Sequence, residues 1–218
     1  KSKEETYALI EADLTDAINR LPLKSQYSPN DLGRATKGAA QALLAKAYLY
    51  QQKWQSAYDM SGEVISSNQY SLLTDYAKVW REEGENGTES IYEVQASLTN
   101  GLRDYTNVQG PRGTPDLGWG FNNPSDDLVR SYEPGDPRRD ATVLYVGEVL
   151  PDGSGVIEDN PSMENERYNQ KAWVESHPGL QDNGPGNIRI LRYADVLLIA
   201  AEALNELNNP TEALKYLN

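Results

Sequence analysis

Aromatic and amide side chains are interspersed with glycine in the middle of the chain, where they could form a surface that stacks on a sugar ring. A pyranose has apolar C–H faces and hydroxyl edges, so an exposed aromatic ring beside a hydrogen-bonding group complements it. The region between residues 96 and 187 is rich in Gly, Pro, Asn and Asp, and its large aromatic residues are Tyr105, Trp119, Phe121, Tyr132, Tyr145, Tyr168 and Trp173. This composition predicts a ligand-binding surface on loops.

Trp119 is the first candidate for stacking, because it lies between two glycines that leave its ring open to approach. Tyr105 and Trp173 are the next candidates, and the predicted ligand-binding set also includes Phe121, Arg112 and Asn122, the last two as hydrogen-bond donors. The alternative is that these rings fill small cores beneath the loops, since large aromatic residues are highly buried on average.

Pairs of carboxylates are a second possible source of chemistry, because glycoside hydrolysis uses two of them at a fixed separation. The candidates are Asp126-Asp127, Glu158-Asp159 and the pair Glu164 and Glu166. The chain has 33 acidic residues, however, so adjacent pairs arise by chance. Neighbours in sequence also rarely face one bond. We therefore expect no catalytic residues and no enzyme activity.

The remaining composition limits metal, cofactor and nucleic-acid binding. There is no cysteine and one histidine, His177, so a zinc site has little material. The segment Asp152–Gly155 lacks the ligand spacing of a calcium-binding loop, and a turn is the simpler interpretation. We expect no metal and no cofactor. The net charge of −13 without a cluster of basic residues also argues against nucleic acid as a partner.

Helical periodicity dominates both ends of the chain, and the elements that position the loops follow from it. We predict helices over Thr6–Leu21, Ala35–Gln52, Trp54–Ser66 and Ile188–Leu207, and another that Pro210 opens. In the middle we predict a strand over Glu89–Gln95, short helices within Pro124–Ser131 and Pro137–Asp140, and small strands at Thr142–Val146 and Gly155–Ile157.

One helix and the turn after it occur twice. When Ala42–Gly62 is shifted by 156 residues, it aligns without a gap on Leu198–Asn218, and small residues coincide, among them Ala45 with Ala201. Small residues at these places are typical of a tetratricopeptide helical hairpin. The predicted fold is therefore mainly α, a tetratricopeptide-like helical scaffold with a loop-rich insertion that carries a few short strands. The predicted boundaries within this single domain are 1–82 for the scaffold, 83–187 for the insertion and 188–218 for the rest of the scaffold.

Four segments together resemble the SusD/RagB family. They are Leu32–Tyr50, Gly118–Pro124 (GWGFNNP), Tyr132–Thr142 (YEPGDPRRDAT) and Leu191–Glu206 (LRYADVLLIAAEALNE), and their order and spacing also match. The resemblance implies a non-enzymatic lipoprotein on the outer face of the outer membrane, which binds oligosaccharides or peptides. It also implies delivery of the ligand to a TonB-dependent, SusC-like transporter. The lipidated cysteine and the terminal regions that family members carry are absent, so we expect a fragment that lacks both ends.

A plain tetratricopeptide adaptor, which binds other proteins without binding glycans, is the alternative. Such an adaptor is expected to have contiguous repeats and a basic concave groove, whereas here the two copies are far apart and the chain is acidic. We therefore favour capture of a glycan at the cell surface. In that case the membrane is contacted only through a lipid anchor outside this chain.

Overall fold

The computed structural model describes residues 1–97, 108–111, 118–153, 155–157, 165–173 and 186–217. The helices, in chain order, are α1 (Lys3–Arg20), α2 (Lys37–Tyr50), α3 (Trp54–Ser66), α4 (Asp126–Ser131), α5 (Pro137–Asp140), α6 (Tyr193–Glu206) and α7 (Pro210–Ala213). The strands are β1 (Ser90–Val94), β2 (Val143–Tyr145), β3 (Arg167–Asn169) and β4 (Ile188–Arg192). Short 3₁₀ turns lie at Lys24–Gln26, Pro29–Asp31, Tyr76–Trp80, Glu82–Gly84, Gln170–Ala172 and Leu214–Tyr216. The predicted class, mainly α with a few short strands, is confirmed.

The chain forms two compact units. The first unit comprises Lys1–Leu72, Asn86–Val94 and Arg189–Asn218, and the second comprises Leu73–Glu85 and Gln95–Ile188. Within the residues that the structure describes, no helix is long and apolar enough to cross a membrane.

Small buried residues on α2, α3 and α6 form the centre of the first unit. Helix α3 packs against both α2 and α6, and their shared cluster contains Ala45, Ala57, Ile199 and Ala203. Ala45 is 0% exposed and Ala201 is 4% exposed, so at both sites the backbones of neighbouring helices can approach closely. Thr36 caps the start of α2, where its hydroxyl accepts a hydrogen bond from the N–H group of Ala39 at 3.1 Å.

The predicted internal repeat is confirmed by the helix boundaries. Helix α2 spans 37–50 and α6 spans 193–206, so the same shift of 156 residues aligns both ends of the two helices. Each is 14 residues long and is followed after a short turn by another helix, α3 or α7. Since a tetratricopeptide unit is a helical hairpin, α2 and α3 have the form of that unit, and α6 with the one-turn helix α7 repeats its first helix and the turn after it.

The helix that the sequence predicts over Ile188–Leu207 is wrong at its start, because its first five residues form β4, which pairs with β1. The two arginines of β4 meet carboxylates in and beside β1: Arg189 lies 3.6 Å from the carboxylate of Glu93 in β1, and Arg192 forms an ion pair with Glu89, which directly precedes β1. A short run of isoleucine, leucine and arginine fits a strand as well as the first turn of a helix. The carboxylates opposite the arginines favour the strand.

Strands β2 and β3 form an antiparallel pair in the second unit, with Val143 opposite Asn169 and Tyr145 opposite Arg167. Leu144, Leu150, Ile157, Tyr168 and Trp173 form the core of this unit. The predicted strand Thr142–Val146 is thus observed as β2. The predicted strand Gly155–Ile157 is reduced to one bridge between Val149 and Val156.

Helix α5 begins at Pro137 as the sequence predicts, whereas α4 begins at Asp126, two residues after the predicted start at Pro124. The Ser125 hydroxyl accepts from the N–H group of Leu128 at the start of α4, at 3.2 Å. The Asp136 carboxylate accepts from the N–H group of Arg138 at 2.9 Å, and Pro137 opens α5. These caps fix the starts of α4 and α5, the two short helices that follow the GWGFNNP loop.

Candidate functional site

Two large aromatic rings project from the loop Gly118–Pro124 in the second unit. Trp119 is 57% exposed and Phe121 is 58% exposed, while Gly118 and Gly120 beside them are buried. The ring centroids lie 6.4 Å apart and the ring planes meet at 61°. Because buried glycines alternate with exposed aromatics, the backbone lies against the unit and the rings face outward.

The backbone of this loop is hydrogen-bonded to the segment 108–111. The N–H group of Gly120 donates to the carbonyl of Gly110 at 2.9 Å, and the N–H group of Phe121 donates to the carbonyl of Val108 at 3.0 Å. Gly120 has φ of 72°, which a glycine adopts without strain. The two rings are therefore held by a bonded backbone.

A network of side-chain amides supports the same loop. The Gln109 Oε1 atom accepts from the amide nitrogen of Asn122 at 2.6 Å and from that of Asn169 at 3.1 Å. Asn169 is the last residue of β3, so Gln109 connects the loop to the core strand. Asn122 has φ of 56°, a left-handed conformation that asparagine tolerates better than most residues.

The far end of the loop is anchored to the same strand. The Nε atom of Arg167 donates to the carbonyl of Pro124 at 2.8 Å, and its guanidinium forms an ion pair with Asp126 at the start of α4. Strand β3 thus holds the second half of the loop, directly through Arg167 at Pro124 and indirectly through Asn169 and Gln109 at Asn122. Such bracing reduces the conformational entropy that a ligand would have to remove on binding.

Three of the six predicted ligand-binding residues, Trp119, Phe121 and Asn122, come together on this loop. Tyr105 and Arg112 lie outside the described residues.

The prediction that Trp173 stacks on ligand conflicts with the burial of its ring. Trp173 is 3% exposed and belongs to the core of the second unit. The guanidinium carbon of Arg81 lies 4.9 Å from the centre of its ring, and Arg81 Nη1 donates to the Trp173 carbonyl at 3.0 Å. For this ring the alternative interpretation, a small core beneath the loops, is the correct one.

Gln109 and Arg167 are the residues that the sequence analysis missed. Their partners are distant in the chain: Gln109 and Asn169 are 60 residues apart, and Arg167 and Pro124 are 43 residues apart. A glutamine among many polar loop residues gives no signal in a single sequence. Arg167 and Asn169 share one face of β3, but the sequence analysis predicted no strand at these residues.

Two of the candidate carboxylates, Asp126 and Asp127, have structural partners. Asp126 pairs with Arg167, and Asp127 pairs with Arg130 at 2.6 Å. Glu158, Asp159 and Glu164 lie outside the described residues. Within the part of the chain that the structure describes, no three carboxylate or imidazole groups are clustered so that they could hold a metal ion.

Asp136 lies close to two arginines, and its surroundings are those of a helix cap. Arg138 contacts both carboxylate oxygens, with a closest approach of 2.6 Å. The hydrogen bond from the Arg138 side chain, followed by the one from its backbone, holds the pKa of Asp136 below its ordinary value. A carboxylate that stays ionised and engaged in this way stabilises the turn.

Comparison with known proteins assigns the chain to a family. The SusD family model matches residues 52–218. The chain belongs to the SusD family. A SusD-like protein of Formosa agariphila, P25, is 28% identical over 242 residues, which cover 90% of this chain and 43% of that protein.

Solved structures of SusD-like proteins share the fold. The surface glycan-binding protein A of Bacteroides thetaiotaomicron, in complex with laminarihexaose, is 28% identical with a TM-score of 0.78, covering 97% of this chain and 52% of that one. A laminarin-binding SusD-like protein is 26% identical with a TM-score of 0.78, covering 98% of this chain and 54% of that one. This SusD-family chain therefore spans about half the length of the relatives that it matches.

Proposed function

We propose that this SusD-family chain contributes to cell-surface capture of an oligosaccharide, and that the Trp119–Phe121 loop stacks on the sugar. The exposed aromatic pair is the observation that carries the proposal, because two large apolar rings more than half open to solvent lose the hydrophobic gain of burial. A sugar face that covers the two rings recovers part of this hydrophobic free energy. Two structural relatives that bind laminarihexaose or laminarin support the same ligand class.

The angle between the two rings favours a curved ligand over a flat one. Rings inclined at 61° cannot both lie parallel to the faces of adjacent sugars in a flat ribbon. They can follow a chain whose successive rings turn relative to each other. Binding at this site should be weak, because sugar hydroxyls exchange water contacts for protein contacts with a small net gain.

The proposal is tested by titrating laminarihexaose, and then a panel of other neutral oligosaccharides, into the chain and its variants. Trp119→Ala and Phe121→Ala should each weaken binding at least about tenfold, since an aromatic contact contributes on the order of 1 kcal/mol beyond its buried area. The matched control is Tyr50→Ala, which removes an equally exposed ring (62%) from α2 in the first unit. Its affinity should equal that of the parent.

Two outcomes would contradict the proposal: no oligosaccharide in the panel binds, or both loop variants bind as tightly as the parent. A melting temperature unchanged by Trp119→Ala would show that any loss of binding is local. Incubation of the chain with the bound oligosaccharide should leave its length unchanged, because we propose binding without hydrolysis.

The destination of the ligand forms a second part of the proposal. We propose that the protein containing this chain lies on the extracellular face of the outer membrane, held by a lipid anchor, and passes its ligand to a TonB-dependent, SusC-like transporter. Membership of the SusD family supports this assignment. Protease treatment of intact cells should remove the protein, and its purification from solubilised outer membranes should retain the transporter. Resistance to protease in intact cells would contradict the location, and loss of the transporter under mild conditions would contradict the partnership.

A further inference from the structure

One backbone group fixes the orientation of three side-chain amides at the aromatic loop. The N–H group of Lys171 can only donate, and it donates to Asn169 Oδ1 at 3.1 Å. The amide nitrogen of Asn169 therefore faces Gln109, which must present its Oε1 atom in return. Asn122 donates to that same oxygen, so the network uses neither the side-chain oxygen of Asn122 nor the amide nitrogen of Gln109.

These two atoms are the ones that the described residues leave for a ligand. Within the described part of the chain, Gln109 Nε2 and Asn122 Oδ1 make no hydrogen bond with another residue. Neither atom is sealed in the interior, since Asn122 is exposed and Gln109 is partly exposed. Asn122 follows Phe121 directly, and the residues on both sides of Gln109 bond to the backbone of the aromatic loop. One donor and one acceptor therefore lie beside the exposed ring pair.

We infer that Gln109 and Asn122 form the hydrogen-bonding edge of the aromatic site and select sugar hydroxyls over charged substituents. This inference rests on the proposed function and adds the class of glycan, one that is uncharged where it meets the loop. A hydroxyl both donates and accepts, so it satisfies Gln109 Nε2 with its oxygen and Asn122 Oδ1 with its proton. A sulfate or a carboxylate can only accept hydrogen bonds. Its negatively charged oxygens would therefore face the side-chain oxygen of Asn122 and be repelled by it.

The charges around the loop also disfavour a negatively charged glycan. Among the described cations near it, Arg167 is paired with Asp126 and Arg130 with Asp127, while the Lys171 ammonium lies over the rings of Tyr76 and Trp80. The whole chain carries a net charge of −13. A glycan with sulfate or carboxylate groups would therefore approach a repulsive field, which lowers its association rate.

The decisive variant is Gln109→Glu. A carboxylate at this position keeps an oxygen to accept from Asn122 and Asn169, but it has no N–H group to offer a sugar hydroxyl. We expect its affinity for laminarihexaose to fall about three- to tenfold, the effect of losing one ordinary hydrogen bond. The melting temperature should stay at that of the parent. Asn205→Asp, an equal charge change at an exposed position of α6, is the control and should bind like the parent.

Asn122→Gly tests the acceptor. Glycine adopts the left-handed φ of this position without strain, so the loop backbone is preserved. The parent should bind laminarihexaose at least about tenfold more tightly than an O-sulfated form of the same hexaose, and Asn122→Gly should reduce that preference because the repelling carbonyl is gone.

The possible results separate the inference from the proposed function. If Trp119→Ala loses binding while Gln109→Glu binds laminarihexaose like the parent, the inference is overturned and the proposed function stands. Tighter binding of the sulfated hexaose by the parent also overturns it, as does a loss in Gln109→Glu that is matched by a lowered melting temperature. If the parent binds no oligosaccharide at all, both fail.

Discussion

Gln52 and Asn208 lie 156 residues apart and occupy the same left-handed backbone conformation, with φ of 59° and 60°. Each follows one copy of the repeated helix, α2 or α6, by two residues. Their N–H groups also make equivalent bonds, that of Gln52 to the Leu49 carbonyl at 2.9 Å and that of Asn208 to the Asn205 carbonyl at 3.0 Å. The repeat therefore preserves the helix-ending turn together with the helix.

Gln52→Gly should stabilise the chain by about 0.5–1 kcal/mol, because glycine adopts a positive φ without the steric cost that glutamine has there. The reciprocal change, Asn208→Gln, should destabilise it, since asparagine tolerates this conformation better than glutamine. Urea unfolding of the parent and both variants measures the two free energies. A Gln52→Gly chain less stable than the parent would show that the Gln52 side chain contributes more than its backbone strain costs.

Ala45→Leu and Ala201→Leu should each lower the unfolding free energy by about 1–3 kcal/mol, because a larger side chain cannot fit between closely approaching helices. Both alanines are buried, at 0% and 4% exposure, and occupy equivalent places in the two copies. Ala12→Leu on the exposed side of α1 is the control and should change stability little. Parent-like thermal melts of both buried variants would be inconsistent with the repeat packing.

Trp173→Ala should lower the unfolding free energy by about 3–5 kcal/mol, the usual effect of removing a large aromatic side chain from a core. Trp119→Ala removes the same side chain from an exposed position and should change stability by no more than about 0.5 kcal/mol. Chemical unfolding of the two variants side by side checks this contrast. Equal destabilisation would mean that Trp119 is part of the packing, which would weaken the proposed glycan site.

Periodicity predicted the elements of this fold that depend on local pattern. The α2–α3 hairpin and its second copy follow from apolar spacing and from the placement of small residues such as Ala45. The start of α6 did not follow from these patterns, because Ile188–Arg192 suits a helix or a strand equally well. The choice depends on Glu89 and Glu93, which are about 100 residues earlier in the chain. The strand β1 likewise joins the first unit, although the predicted boundaries place it in the insertion.

For the candidate site, too, the sequence predicted what depends on local pattern and not what depends on contacts distant in the chain. The pattern of Trp119 and Phe121 between small and polar residues indicated exposed rings, and both are exposed. The burial of Trp173 could not be predicted, because nothing local distinguishes its loop from the loop of Trp119. It depends on residues that are distant in the sequence, such as Leu144 in the same core and Arg81, which contacts Trp173 across 92 residues. For the same reason Gln109 was not identified.

The stability of the chain should fall with pH partly through Glu11, whose carboxylate joins α1 to the turn after α2. The hydrogen bond from Lys53 is the largest cause that holds the pKa of Glu11 below its ordinary value, and Gln51 Nε2 donates to the same carboxylate at 2.7 Å. A carboxylate whose pKa is lower in the folded state than in the unfolded state stabilises the fold above the unfolded pKa. That contribution is lost as the pH falls through the folded pKa.

Glu11→Gln should therefore lower the unfolding free energy near neutral pH and make its decline between about pH 6 and pH 3 shallower than in the parent. Urea unfolding across this range measures both curves, with Glu202→Gln at an exposed position of α6 as a control that removes the same charge elsewhere. If Glu11→Gln and the parent lose stability in parallel as the solution is acidified, the link between Glu11 and Lys53 has no role in the acid sensitivity of the fold.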